Sequence, residues 1–334
     1  MAGPSYVTRE TVLDVGGFGS VIASKIDRAI FQQSRNIENQ TLRHFYPKTA
    51  AVTYHDHYEE TWHVGDPGFW LRDDLRSVTT ITIDTTAPSV YTLLPKVGPP
   101  YDRVIVDGFH GLDTVITGVW GWSADTAAAG ALAADITTTT AETCDVTDGS
   151  LIGVGDLITI NTEKMIVTDK AVLDSTANLN GALTATANEQ TITVTDGSLL
   201  KVGEELLVDS ERMLITDIVS NDLTVERAAR GSTLAAHNDA TDVYVYRRLS
   251  IDRGAAGSTA IDTSVATDTI TVNVPPPEIR DWCLAEVLNQ IQQESAAYAR
   301  TIGSGDNLQE ARGAGLISVR AAGMRLRRLR MAGV

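Results

Sequence analysis

Residues Thr143–Asp169 align without a gap on Thr191–Asp217, 48 positions later, with 13 of 27 positions identical. A repeat constrains a fold more than composition does, because one structural unit must fit the chain twice. Each copy reads strand, turn, strand, turn, strand. The first turn is Asp148-Gly149-Ser150 in one copy and Asp196-Gly197-Ser198 in the other. An Asp-Gly pair supplies the positive dihedrals of a tight turn. The strands that follow are Leu157–Ile160 and Lys164–Val167 in one copy and Leu206–Asp209 and Arg212–Ile215 in the other. A weaker echo links Arg227–Thr233 to Arg253–Thr259, and another links Thr269–Val272 to Thr191–Val194. The whole of 136–274 therefore reads as one β-rich insertion built by duplication, closed by Pro275-Pro276-Pro277.

The flanks differ in pattern. Residues 1–19 are Gly-rich and read as an arm. A helix is expected from Ser20, as cap, to about Arg43, with Ile22, Ile26, Ala29, Ile30 and Ile37 on one face. Tyr46-Pro47 stops it. Short strands follow at Thr49–Tyr54, Phe69–Leu71, Val78–Ile83, Val90–Leu94, Val104–Val106 and Val115–Val119, separated by Gly, Pro and Asp clusters. The Ala-rich stretch 123–135 suits a short helix or a linker. A second helix is expected from Pro277 to about Ile302, with Ile279, Cys283, Val287, Ile291 and Tyr298 as its stripe.

Charge limits the partners. The chain carries a formal net charge of −16, which opposes a general grip on nucleic-acid phosphates. It is unevenly spread: 136–275 holds 21 acidic and 9 basic residues, a net of −12, whereas 276–334 holds 6 and 8, a net of +2. The two cysteines, Cys144 and Cys283, lie far apart and form no metal-binding spacing, which fits a reducing cytoplasm. No apolar run reaches the ~18 residues of a membrane helix. Met1–Thr8 lacks the basic and apolar regions of a signal peptide.

The flanks also carry an ordered series of short motifs. Arg43-His-Phe-Tyr-Pro47 leads to Ala51-Val-Thr-Tyr54, then to Phe69–Ile81, Tyr91-Thr-Leu-Leu-Pro95, Pro99-Pro-Tyr-Asp-Arg103 and Ile116-Thr-Gly-Val-Trp-Gly-Trp122; the series resumes at Pro276-Pro-Glu-Ile-Arg-Asp-Trp-Cys-Leu-Ala285. This order resembles the head-to-tail connector (adaptor) proteins of tailed phages, over 20–122 and 276–334. In that family the Pro-Pro helix start follows the Thr-Gly-x-Trp-Gly strand closely; here the duplicated segment separates them. The repeat itself looks like β modules inserted in many phage virion proteins. The resemblance implies an α+β chain: a helical adaptor body with a β module and a duplicated all-β insertion. Its divisions are an N-terminal arm (1–19), a first body segment of helix plus β module (20–135), the insertion (136–274), a second, helical body segment (275–315) and a basic docking tail (316–334). It also implies a structural, non-enzymatic virion protein of the neck, assembled in the host cytoplasm. Such a protein forms a homo-oligomeric ring, a dodecamer. The ring binds the portal protein, offers a platform to a stopper or tail-terminator protein, and passes genomic DNA without specific binding. The alternative is a host- or carbohydrate-binding virion protein that uses the repeats, although these carry no Trp.

Within the tail, Leu316, Met324, Leu326, Leu329 and Met331 alternate with Arg325, Arg327, Arg328 and Arg330. Apolar anchors set among arginines suit docking in an acid-lined portal cleft, and after Gly313 and Gly315 the segment is expected to be mobile in the free subunit. Other groups could carry chemistry. His55 and His57 share a strand face, with Glu59, Glu60 and His63 near, yet no second pair has a ligand spacing. Glu163 and Glu211 recur with Asp148 and Asp196, but the calcium-loop pattern is absent and duplication accounts for the recurrence. Gly16-Gly17-Phe18-Gly19 has neither the preceding strand nor the Lys-Ser/Thr of a nucleotide loop. Cys283 sits in a helix stripe, where a buried thiol is expected. No catalytic residue, cofactor or metal is therefore expected. Elemental analysis of the purified protein should find no stoichiometric transition metal; one that disappears in His55→Ala/His57→Ala protein would overturn this.

Overall fold

A computed structural model describes residues 3–55, 68–88, 90–106, 113–295 and 316–328. The first segment holds α1 (Arg9–Asp14) and α2 (Ala23–Thr41). A five-stranded antiparallel sheet follows, built from β1 (Lys48–Tyr54), β2 (Gly68–Ile83), β3 (Tyr91–Leu94), β4 (Tyr101–Val106) and β5 (Thr114–Trp120) in the order β1-β5-β2-β4-β3. A larger antiparallel sheet uses β6 (Thr126–Ala131), β7 (Thr143–Asp145), β8 (Leu157–Ile160), β9 (Glu163–Asn178), β10 (Thr191–Thr193), β11 (Glu205–Val208), β12 (Glu211–Val219), β13 (Asp222–Glu226), β14 (Asp242–Asp252) and β15 (Thr269–Asn273). The chain returns through α3 (Pro277–Ser295) and α4 (316–324).

The fold is thus mostly β, which corrects the expectation of an α+β chain with a helical body. Among the described residues there are four helices, and helix accounts for 21%. The expected strands Phe69–Leu71 and Val78–Ile83 are one strand, β2. The charged run Arg72-Asp73-Asp74 breaks the alternation of the sequence, but the strand carries it through shifts of register at Trp70/Leu75, Leu75/Ser77 and Val78/Thr80. A bulge absorbs extra residues without ending the ladder. The Ala-rich stretch is a strand, β6, because its small residues pair with β15 from Thr126↔Asn273 to Ala131↔Thr269. The larger sheet therefore starts ten residues ahead of the expected boundary at 136. Residues 3–13 and Phe18 are packed rather than an arm, whereas Asp14, Val15, Gly16 and Gly17 are exposed. Tyr6, Val7 and Val12 are buried with α2 and α3, and the Tyr6 hydroxyl donates to Glu38 at 2.6 Å.

α2 buries the expected face through Ile26, Ala29, Ile30 and Ile37. Its cap is Ile22, without a side-chain bond, and it ends at Leu42 in the left-handed region. α3 lies antiparallel to it: Ser34 meets Cys283, Gln33 meets Gln290 and Arg28 meets Glu294. The helices share their core with Leu157, Ile166 and Ala255 of the larger sheet.

The two repeats are nested, not consecutive. β10 pairs with β13 (Ile192↔Leu223) as β7 pairs with the second half of β14 (Cys144↔Leu249). β11 pairs with the first half of β14 (Leu206↔Val245) as β8 pairs with β15 (Ile158↔Val272). The outer unit therefore comprises 126–171 and 247–274, and the inner unit 172–246 interrupts it. In the inner unit β12 and β13 close as a hairpin at Val219↔Asp222. In the outer unit the same hairpin stays open, and its strands run on from Ala171↔Arg248 to Asn178↔Asp242. Each unit has its own core, around Ile158, Met165 and Leu249 in one and Leu206, Met213 and Val245 in the other.

Both units touch the N-terminal region through the same turn. At Gly257 an ideal Cβ would lie 1.9 Å from the Thr49 carbonyl oxygen, and at Gly231 one would lie 2.5 Å from that of Gly19. Only glycine permits either approach, and both have positive φ. Where the outer unit meets the rest of the chain, β6 and β15 run side by side, with the Val274 N–H donating to the Asp125 carbonyl at 2.8 Å.

The nesting predicts which segment can be removed. Replacing 172–247, the inner unit together with Arg247, by Ser-Asn, the turn of the inner hairpin, should leave a single cooperative melting transition, because paired strand ends tolerate exchange of what they connect. Removing 126–274 should not, because Leu157, Ile166 and Ala255 would leave the helical core. Thermal melts followed by circular dichroism separate the two outcomes.

Candidate functional site

The tail anticipated as a docking element lies across the chain's own body. α4 rests on α3: Arg320 pairs with Glu286, with a second contact at 2.9 Å, and Gly323 lies against the Trp282 ring. Met324 and Leu326 are half-buried on the helical core. The chain then crosses to β2. The Arg328 N–H donates to the Thr41 carbonyl at 2.8 Å, and Arg43 Nη1 donates to the Leu326 carbonyl at 2.8 Å. Arg328 Nη2 reaches the Leu71 carbonyl at 2.5 Å. Leu316 is half-buried, whereas Arg325 and Arg327 point to solvent. Leu329, Arg330 and Met331 lie outside the described residues. From 316 to 328 the segment thus packs on the chain's own body, where Met324 and Leu326 meet apolar surface and Arg320 and Arg328 meet acceptors in cis.

The centre of this contact is Asp74, 1% exposed. Arg43 Nε stands 3.0 Å from one of its oxygens, and Arg328 Nη1 stands 3.7 Å from the other. Burial raises the Asp74 pKa above the ordinary carboxylate range, against the two guanidinium charges. Next to it His44 Nδ1 meets Asp73 at 3.0 Å. Burial opposes the charged imidazole, but the hydrogen bond and charge of Asp73 outweigh it and raise the His44 pKa. Sequence reasoning misses this cluster. Its one signal is a pair of adjacent acids inside a strand, while Arg328, one of the two arginines that meet it, looks suited to an outside partner.

The repeated carboxylates have a structural role in both units. Glu163, fully buried, accepts from Arg253 Nε at 2.6 Å and Nη2 at 2.7 Å, and from the N–H groups of Gly254 and Ile261 at 3.1 and 3.0 Å. Glu211, also fully buried, accepts from Arg227 at 2.7 and 2.8 Å and from the N–H groups of Ala228 and Ala235 at 2.9 and 3.0 Å. His237 Nε2 adds a contact to Glu211 at 2.9 Å. Beside each clasp, Ser258 Oγ accepts from the Lys164 N–H at 2.8 Å and Ser232 Oγ from the Arg212 N–H at 3.0 Å. These contacts explain the Arg…Gly-Ser-Thr echo. With both oxygens committed, neither carboxylate is placed for acid–base work. Asp148 and Asp196 accept from the N–H groups of Ser150 and Ser198 at 2.9 and 3.0 Å, which is turn chemistry.

His55 Nδ1 lies 3.0 Å from Asp113, and both are exposed. His57, Glu59, Glu60 and His63 lie outside the described residues. Among the described residues no three His, Cys, Asp or Glu side chains gather as metal ligands. Cys283 is buried, and burial pushes its thiol up to about 12. Gly16 and Gly17 precede α2 with positive φ. No family model matches the chain, and no curated protein or solved structure matches it either.

The clasps predict the response to acid and to mutation. Burial opposes the charged Glu211, yet its bonds to Arg227 and His237 bring its pKa from 4.5 down to about 2. Because the folded pKa is depressed, its stabilisation is full above the unfolded value and is lost as pH falls through about 2. The inner unit should therefore lose about 3 kcal/mol across that window. Glu211→Ala strands the buried Arg227 and should cost about 3–5 kcal/mol at neutral pH. Urea melts of the wild type and the variant at pH 7 and pH 2.5 check both.

Proposed function

We propose that the chain is a structural subunit of a tailed-phage neck, a head-to-tail adaptor that assembles as a homo-oligomeric ring, a dodecamer, between portal and tail. One observation supports this most. The two stretches that carry the family resemblance, 20–122 and 276–328, fold against each other although 153 residues separate them. α2 packs on α3, and the 316–328 segment bridges α3, α2 and β2. The β units between them leave and return through adjacent strands, as an insertion in an adaptor must. The body in this reading is a five-stranded β-sheet together with the α2–α3 pair, which packs on the larger sheet.

The function is mechanical. The ring extends the portal channel and gives the stopper or tail-terminator a platform. The net charge of −16 keeps most of the surface from holding DNA in transit. Since Met324, Leu326 and Arg328 engage the body itself, docking on the portal is assigned to Leu329, Arg330 and Met331. Ring symmetry multiplies weak contacts into firm attachment.

Deleting 329–334 should preserve the melting temperature and abolish attachment to portal-bearing heads in a sedimentation assay. Cryo-electron microscopy of assembled particles should place the chain in a ring below the portal; density elsewhere, or full attachment of the truncated chain, would sink the respective elements of the proposal.

A further inference from the structure

We infer that the surface where the C-terminal segment meets β2, around Arg72, Arg325 and Arg327, is a binding surface for the phosphate backbone of duplex DNA. Most arginines of the β units are consumed internally: Arg227 and Arg253 by the clasps, Arg247 by Glu204, Arg248 by Asp145. Arg72, Arg325 and Arg327 are exposed. Among the described residues their guanidinium groups make no hydrogen bond or ion pair. One contact joins the two segments that carry them, since Arg328 holds the Leu71 carbonyl; in sequence Arg72 and Arg327 each adjoin a member of that pair, and Arg325 lies three positions before Arg328.

An aromatic ring borders the surface. The Arg72 guanidinium lies 5.7 Å from the Tyr54 ring centre. A guanidinium resting on a ring keeps its N–H edge available and loses less freedom on binding. The nearby acids are partly neutralised: Asp74 by Arg43 and Arg328, Asp73 by His44. The repulsion of the acidic β units is screened beyond about 10 Å at 0.1 M salt, so a local cationic surface can act in an acidic protein. The choice of duplex DNA over other polyanions rests on the proposed conduit role, and nothing else in the inference does.

The test is fluorescence anisotropy of the full chain with a labelled mixed-sequence 30-base-pair duplex. Three phosphate contacts set a salt slope that weakens binding about 40-fold between 50 and 200 mM NaCl. Arg72→Gln/Arg325→Gln/Arg327→Gln should remove most of that dependence and shift the melting curve little, because among the described residues these guanidinium groups make no hydrogen bond or ion pair and only Arg72 rests on a ring, that of Tyr54. Lys25→Gln/Arg280→Gln, exposed cations elsewhere, should bind as wild type does. No salt-dependent binding by the wild type, or equal loss in both variants, overturns the inference. Displacement of the duplex by polyglutamate at matched charge overturns it in favour of an acidic protein partner. Because the isolated chain is assayed, failure here leaves head attachment untouched, and loss of head attachment leaves DNA binding unchanged.

Discussion

A carboxylate sunk to zero exposure and gripped by one arginine and two backbone amides is the interaction on which the β units depend. Breaking such a pair leaves a bare charge in the interior, a penalty of several kcal/mol that few single contacts match. The Glu163 clasp fixes the turn after β14, and that turn presses on Thr49; the Glu211 clasp fixes the turn that presses on Gly19. Placement of both units on the rest of the chain thus follows from two buried ion pairs of the same design.

Nesting is compatible with this design because the clasp does not involve the hairpin tip. The inner unit closes that tip with Ser220, whose φ is +58°, and Asn221, whose side chain accepts from the Gly197 N–H at 3.0 Å. In the outer unit the Gly149 N–H donates instead to Glu204 of the inner unit at 2.9 Å, and Arg247 binds the same carboxylate at 2.6 Å. One amide is satisfied locally in one copy and by the neighbouring unit in the other. The junction between the copies therefore leaves no buried donor unpaired at that site.

The first halves of the repeats are legible in the sequence because they share one offset without gaps. The nesting is not, because the second halves, from Arg227 and from Arg253, are 26 residues apart rather than 48. Their Arg…Gly-Ser-Thr echo is visible, but its meaning needs the partner carboxylates. The apolar faces of α2 and α3 follow from helical spacing. β2 reads as two strands broken at Arg72-Asp73-Asp74, since no periodicity shows that a charged pair will meet Arg43 and Arg328 from distant segments. The same limit makes the tail read as free: Leu326 and Arg328 look unpartnered until Thr41, Leu71 and Asp74 come within reach.

Nesting also sets an order in time. Glu163 and Arg253 are separated by 90 residues, so at ~5–20 residues per second the ribosome needs about 5–18 s between them. Meanwhile the inner unit, with Glu211 and Arg227 only 16 residues apart, emerges complete. Of the two β units the more deeply enclosed is then the first that can close, the outer unit follows, and α3 reaches α2 only after both. Synthesis runs from one end of the chain to the other, but within the nested β units maturation runs from the inside outward.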